Sequence, residues 1–218
     1  SQRWIFGETN HGTTEIHAVD VDDDGVQELA VGNRYGKLFV LEPEDGSVAG
    51  RRGSELGDVQ MHVADLDGDG TFEMLNSSST GAFRVGQVGS RSVIWEFPNY
   101  GYAWRDMKVA DFSERDGLEV VCGSDTGYVY LLDAEGGTIA KRDMHSAVLD
   151  LAVIQTGHTP MIAAGCLSGM VYLLDGELNE IGCLNAGGQV NWVSAVQTPE
   201  GPRVVAALDD GRIVAATP

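Results

Sequence analysis

An all-β fold of short antiparallel strands is predicted for this 218-residue chain by three observations. A strand–turn–strand pattern recurs along it, glycine marks the same turn in each copy, and no long segment has helical periodicity. The clearest pair of copies is Val120-Val-Cys-Gly-Ser-Asp-Thr-Gly-Tyr-Val-Tyr-Leu-Leu-Asp133 and Ile162-Ala-Ala-Gly-Cys-Leu-Ser-Gly-Met-Val-Tyr-Leu-Leu-Asp175. Leu29–Leu41, Val204–Ala215 and, more weakly, Met74–Val85 repeat it. The turn glycines are Gly36, Gly81, Gly127, Gly169 and Gly211, spaced by 45, 46, 42 and 42 residues. That period suits one four-stranded propeller blade.

The reading is therefore a single five-bladed β-propeller over 1–218, with blades near 15–53, 59–97, 104–143, 147–184 and 190–216 plus 3–7. In the third unit the strands fall near 104–111, 118–124, 127–133 and 138–143. Trp4-Ile5-Phe6 resembles the fourth-strand segment Val93–Phe97, and the last unit stops at a third strand, 212–216. The N-terminal strand is thus expected to complete the last blade and close the ring, which would remove an open edge.

Between the first two strands of the first unit stands Asp20-Val-Asp22-Asp-Asp24-Gly25-Val26-Gln-Glu28. The second unit has Asp65-Leu-Asp67-Gly-Asp69-Gly70-Thr71-Phe-Glu73. Calcium takes six to eight oxygens on a sharply turned loop. Alternate carboxylates, a turn glycine, the Val26 and Thr71 carbonyls and a closing glutamate supply that pattern, so two calcium sites are expected. A third, degraded copy offers Asp111, Ser113, Asp116 and Glu119, with an arginine inside the loop. The fourth and fifth units lack the acids.

These loops resemble those of FG-GAP and VCBS repeats, the calcium-loop blades of integrin-alpha-like propellers. The later units, with Gly-Ser-Asp-Thr-Gly-Tyr-Val-Tyr-Leu-Leu-Asp, also resemble PQQ-like repeats. The resemblance implies that the loop acids stabilise blades rather than touch ligand. The calcium loops themselves suggest a calcium-rich setting: extracellular, cell-surface or periplasmic. The adjacent cysteine pair of PQQ dehydrogenases is missing, so quinone chemistry is not expected.

The net charge of −19 repels nucleic-acid phosphates, and nucleic acid is excluded as a partner. No apolar run reaches the ~20 residues that span a bilayer, so no membrane insertion is expected. Cys122, Cys166 and Cys183 form neither a disulfide framework nor a zinc pattern.

Aligning the units by their turn glycines places His17, His62, Lys108, Asp150 and Trp192 at one position of the channel-lining strand. Such a ring, varied among the blades, could form a ligand pocket at one mouth or simply satisfy itself. The loop bearing Tyr100, Tyr102 and Trp104 enters the same face, as do the turns at Arg34–Tyr35, Ser77–Thr80 and Asp209–Asp210. Three functions compete. The first is a non-enzymatic, calcium-stabilised module that binds carbohydrate or protein at that mouth. The second is a polysaccharide lyase or hydrolase using the His/Lys/Asp ring. The third is a purely structural interaction domain of a larger surface protein. No nucleophile motif is apparent, so no catalytic residue is assigned.

Overall fold

A computed structural model of the chain describes residues 3–10, 12–22, 24–33, 37–53, 60–78, 81–88, 90, 92–113, 115–157 and 159–217. The described residues form strands and turns with no helix. Among the described residues no helix is therefore long and apolar enough to cross a membrane. The chain divides into two compact units, residues 1–103 and 104–218.

The first unit holds two four-stranded antiparallel sheets. One is β1 (Thr13–Val19), β2 (Glu28–Asn33), β3 (Lys37–Leu41) and β4 (Val48–Gly53). The other is β5 (Met61–Ala64), β6 (Glu73–Ser77), β7 (Ala82–Gln87) and β8 (Trp95–Pro98). Both run in sequence order, as hairpin connections dictate. Ala30, Leu38, Met61, Val63 and Met74 form the buried layer between them.

The second unit holds three sheets. The first is β9 (Trp104–Ala110), β10 (Glu119–Ser124), β11 (Tyr128–Leu132) and β12 (Thr138–Asp143). Next come β13 (Val148–Ile154), β14 (Met161–Cys166), β15 (Met170–Leu174) and β16 (Glu180–Asn185). The last is three-stranded: β17 (Val190–Thr198), β18 (Gly201–Leu208) and β19 (Ile213–Ala216). Val121, Leu131, Met144, Leu151 and Ile162 belong to one buried cluster. Ile154, Val171, Val190, Val193 and Val204 belong to another.

Two glycine positions explain the repeat. The turn glycines Gly81, Gly127, Gly169 and Gly211 have φ of +92°, +87°, +88° and +85°. Each donates its N–H to the carbonyl three residues earlier, a turn that disfavours any side chain. Gly123 and Gly165 serve closeness instead. A Cβ there would lie 2.7 Å from Val148 and Val190 respectively, the first residues of the next inner strands.

The strand boundaries agree with the periodic reading. The N-terminal segment behaves differently. Residues 3–7 join no strand, and the fifth sheet stays at three strands. Trp4 instead packs on the first sheet and donates its indole N–H to the Pro43 carbonyl at 3.0 Å. Phe6 meets Phe39 edge-on at 5.1 Å. Aromatic burial on the first sheet, rather than backbone pairing, is what fastens this segment.

Candidate functional site

The acid loops connect the first and second strands of the first three sheets. In each, the closing glutamate on the second strand turns back to the loop entrance. Glu28 accepts from Val21 N–H at 2.8 Å, Glu73 from Leu66 at 3.0 Å and Glu119 from Phe112 at 2.7 Å. All three glutamates are buried. The first aspartate organises the turn. Asp20 accepts from Asp24 and Gly25 N–H, and Asp65 accepts from Gly68 and Gly70 N–H.

Asp20, Asp22 and Glu28 bring one carboxylate oxygen each within 4.8 Å of one another, and so do Asp65, Asp67 and Glu73. Asp24 and Asp69 stand outside these groups. Their carboxylates bond the Val26 and Thr71 N–H groups at 2.7 and 2.6 Å and brace the turn. Burial raises the Glu73 carboxyl above its ordinary range; the Leu66 N–H opposes this, and the charges of Asp67, Asp69 and Asp65 add to the rise. A hard cation relieves such an arrangement. The donor set, all oxygen on a glycine turn, therefore fits calcium.

In the third loop a hydroxyl stands where the first two loops have an aspartate. Ser113 donates its hydroxyl to the second oxygen of Glu119. Asp111 and Asp116 are exposed. Among the described residues no three-carboxylate group forms there.

The inner strands correct the proposed ring. Strand pairing matches Asp106 with Gly123, Asp150 with Gly165 and Trp192 with Ala207. Asp150 and Trp192 are thus equivalents of Asp106, whereas His17 and His62 pair with Ala30 and Leu75 and are equivalents of Lys108. The reason is length. Paired Asp106 and Gly123 stand seventeen residues apart, but Asp150 and Gly165 stand only fifteen, because the fourth and fifth sheets have shorter connections.

Corrected in this way, the position has a clear role. The Asp106 carboxylate accepts the Leu151 N–H of the next inner strand at 2.8 Å. Asp150 accepts the Val193 N–H of the one after at 2.6 Å. Each aspartate clasps the following blade. Lys108 is 2.6 Å from Asp106 and is spent on that pair. In the first unit, His17 Nε2 lies 3.1 Å from the Met61 carbonyl, and the rings of His17 and His62 meet at 5.0 Å. These contacts are what self-satisfaction of the inner strands predicts.

Burial pushes the Asp150 carboxyl up to about 7, the neighbouring Asp106 adds to the rise, and the Val193 N–H and Lys108 oppose it. A carboxyl raised in the fold favours folding at low pH, and that contribution is lost as pH rises through about 7. The unscreened limit is about 4 kcal/mol, and solvent screening reduces it to roughly 2 kcal/mol. Urea unfolding of the parent and Asp150→Asn at pH 4 and pH 8 checks this. The parent is expected to lose roughly 2 kcal/mol relative to the variant on going to pH 8. Equal pH dependence would refute the buried, raised carboxyl.

Among the aromatics, Tyr100 is 89% and Tyr102 56% exposed, on a loop fastened by the Asn99 amide to the Tyr102 carbonyl at 2.9 Å. Trp104 is instead 4% exposed and packs edge-on against Tyr130 at 5.6 Å, so it is core rather than a ligand platform. Trp192 is half exposed. Arg34, Tyr35, Ser79 and Thr80 lie outside the described residues. Sequence reasoning missed a depression of about 390 Å³ in the second unit, lined in part by Arg105, Leu149, Leu167, Gln189 and Asn191.

No family model matches the sequence, and no curated protein matches it. Solved structures do. BBS1N, solved in complex with ARL6DN, aligns with a TM-score of 0.74 at 12% identity, covering 93% of this chain and 64% of that one. The computationally designed Ika8 protein aligns at 0.68 and 13%, covering 93% and 57%. Raptor of Chaetomium thermophilum aligns at 0.66 and 14%, covering 86% and 18%. This chain therefore spans less than two thirds of each of those chains. At such identities the likeness concerns architecture alone: antiparallel sheets in a propeller-type fold.

Proposed function

We propose that the chain is a non-enzymatic interaction module of propeller type whose first two sheets each hold one calcium ion. The observation that carries the cation part is the convergence of Asp20, Asp22 and Glu28, repeated by Asp65, Asp67 and Glu73. The Val26 and Thr71 carbonyls complete the proposed donor sets. Reading the loops as FG-GAP- or VCBS-like, and placing the protein outside the cell or in the periplasm, rests on the same loops. Reading the five sheets as one closed ring rests on the sequence repeat.

A protein is the favoured partner class. BBS1N, similar in fold, was itself solved with ARL6DN. Asp106 and Asp150 are occupied in contacts between inner strands, and Lys108 is paired with Asp106 on its own strand, which weakens the lyase or hydrolase reading. Exposed Tyr100 and Tyr102 support carbohydrate as the second reading, because tyrosine faces stack on sugars.

The test is thermal unfolding in EDTA, in 1 mM magnesium and in 1 mM calcium. With a Kd of about 0.1 mM, each site adds about 1.4 kcal/mol, so two sites raise Tm by roughly 6–11 °C in calcium. Asp22→Ala or Asp67→Ala should each remove about half of that rise. An unchanged Tm in calcium would sink the cation assignment. Binding on a glycan array, without capture of protein, would favour the carbohydrate reading.

A further inference from the structure

The depression in the second unit is built by a repeated irregularity. Each inner strand there carries a β-bulge, and the register skips Arg105 in β9, Leu149 in β13 and Asn191 in β17. A bulge re-aims one side chain out of the ladder, and bulges favour functional sites. All three skipped residues line the same cavity of about 390 Å³. Ligand pockets start near 300 Å³. The neighbouring aspartates already hold the blades together, so packing does not require an arginine, a leucine and an asparagine at three equivalent places.

The chemistry of the lining is specific. Arg105 is locked to Asp125 by two hydrogen bonds, of 2.6 and 2.8 Å, which fixes one wall. Leu149 is half-buried and Leu167 is 49% exposed, giving an aliphatic seat. Gln189 donates to Asn191 at 2.6 Å. That bond leaves the Gln189 side-chain Oε1 as an acceptor and the Asn191 side-chain amide its donors, the complement of one peptide N–H and C=O. Asp209 stands beside Gln189, donating its backbone N–H to the Gln189 backbone carbonyl at 3.0 Å. No hydrogen bond or ion pair among the described residues holds its carboxylate. The whole chain carries −19.

We propose that this depression binds an extended peptide segment of a partner protein, seating an aliphatic side chain between Leu149 and Leu167 and a neighbouring lysine or arginine at Asp209. The proposal rests on the interaction-module reading and names the partner chemistry within it. It leaves the calcium loops aside.

The experiment titrates the ¹⁵N-labelled 218-residue chain with the blocked hexapeptide Gly-Ala-Leu-Lys-Ala-Gly, followed by NMR shifts. Two counterparts carry serine in place of the leucine and glutamate in place of the lysine. Saturating shifts are expected around Leu149, Leu167 and Gln189–Trp192, with a Kd on the order of 1 mM. Each counterpart peptide should bind at least about fivefold more weakly, as should Leu167→Ser and Asp209→Lys with the parent peptide. Both substitutions fall on exposed turn residues, and the dispersion of the same spectra reports folding. No shifts at about 5 mM peptide, equal binding of the glutamate counterpart, or shifts unchanged in both variants would overturn the site. Shifts confined to residues 1–103 would overturn this site while leaving the interaction-module reading standing.

Discussion

Replacing Asp106 by alanine is expected to cost about 3 kcal/mol, read as a lower urea midpoint. The residue is 5% exposed and takes two bonds at once, from Leu151 N–H at 2.8 Å and Lys108 Nζ at 2.6 Å. Alanine would leave a buried backbone donor unmatched and an ammonium without its partner. Breaking a fully buried pair costs about 3–5 kcal/mol, and the partial exposure of Lys108 places this case at the low end. Asp106→Asn keeps an acceptor for Leu151 and loses only the charge, so a smaller cost of about 1–2 kcal/mol is expected. It should also lower the Asp150 titration midpoint, followed by ¹³C carboxyl shifts, because the Asp106 charge holds that midpoint up. An Asp106→Ala cost below about 0.5 kcal/mol would mean that apolar packing alone joins these sheets.

The second large effect is expected at Gly176, in the turn between β15 and β16. A Cβ there would stand 2.1 Å from the Phe112 carbonyl oxygen and 2.9 Å from Thr159 Cγ2. The first obstacle is backbone and cannot rotate away. Gly176→Ala must push the turn off the β9–β10 loop, at a cost of about 2–3 kcal/mol or more. Gly157→Ala is the control, because a Cβ there meets nothing within 4 Å. It should fall within about 0.5 kcal/mol of the parent. Equal thermal midpoints for the two variants would show that the turn yields without strain.

The strands, and the grouping of the first sixteen into fours, were legible because period-two alternation and a turn glycine recur together. The acid loops were legible because their motif is local: every residue that meets lies within nine positions. Asp150 and Trp192 were misplaced in the ring for a physical reason. A two-residue slip along a strand keeps every side chain on its face, so the polar pattern gave no warning. The bulges at Arg105, Leu149 and Asn191 leave no mark in composition, since a skipped residue is defined by its partner strand. Trp104 shared its loop composition with Tyr100 and Tyr102, yet the strand start carries it inward. The Ser113–Glu119 contact was hidden because a hydroxyl replaced a carboxylate in an otherwise similar frame.

That hydroxyl has a consequence for how the molecule would respond to its surroundings. Both three-carboxylate groups lie within residues 1–103, whereas the loop in residues 104–218 satisfies its buried glutamate internally. Under the proposed cation assignment, a drop in ambient calcium acts on one half of the polypeptide only. Amide exchange should then accelerate around Val21–Glu28 and Leu66–Glu73 and hold steady around Phe112–Glu119. The molecule would be a graded object, with a region whose firmness is set by the medium joined to a region whose firmness is set by its own covalent sequence.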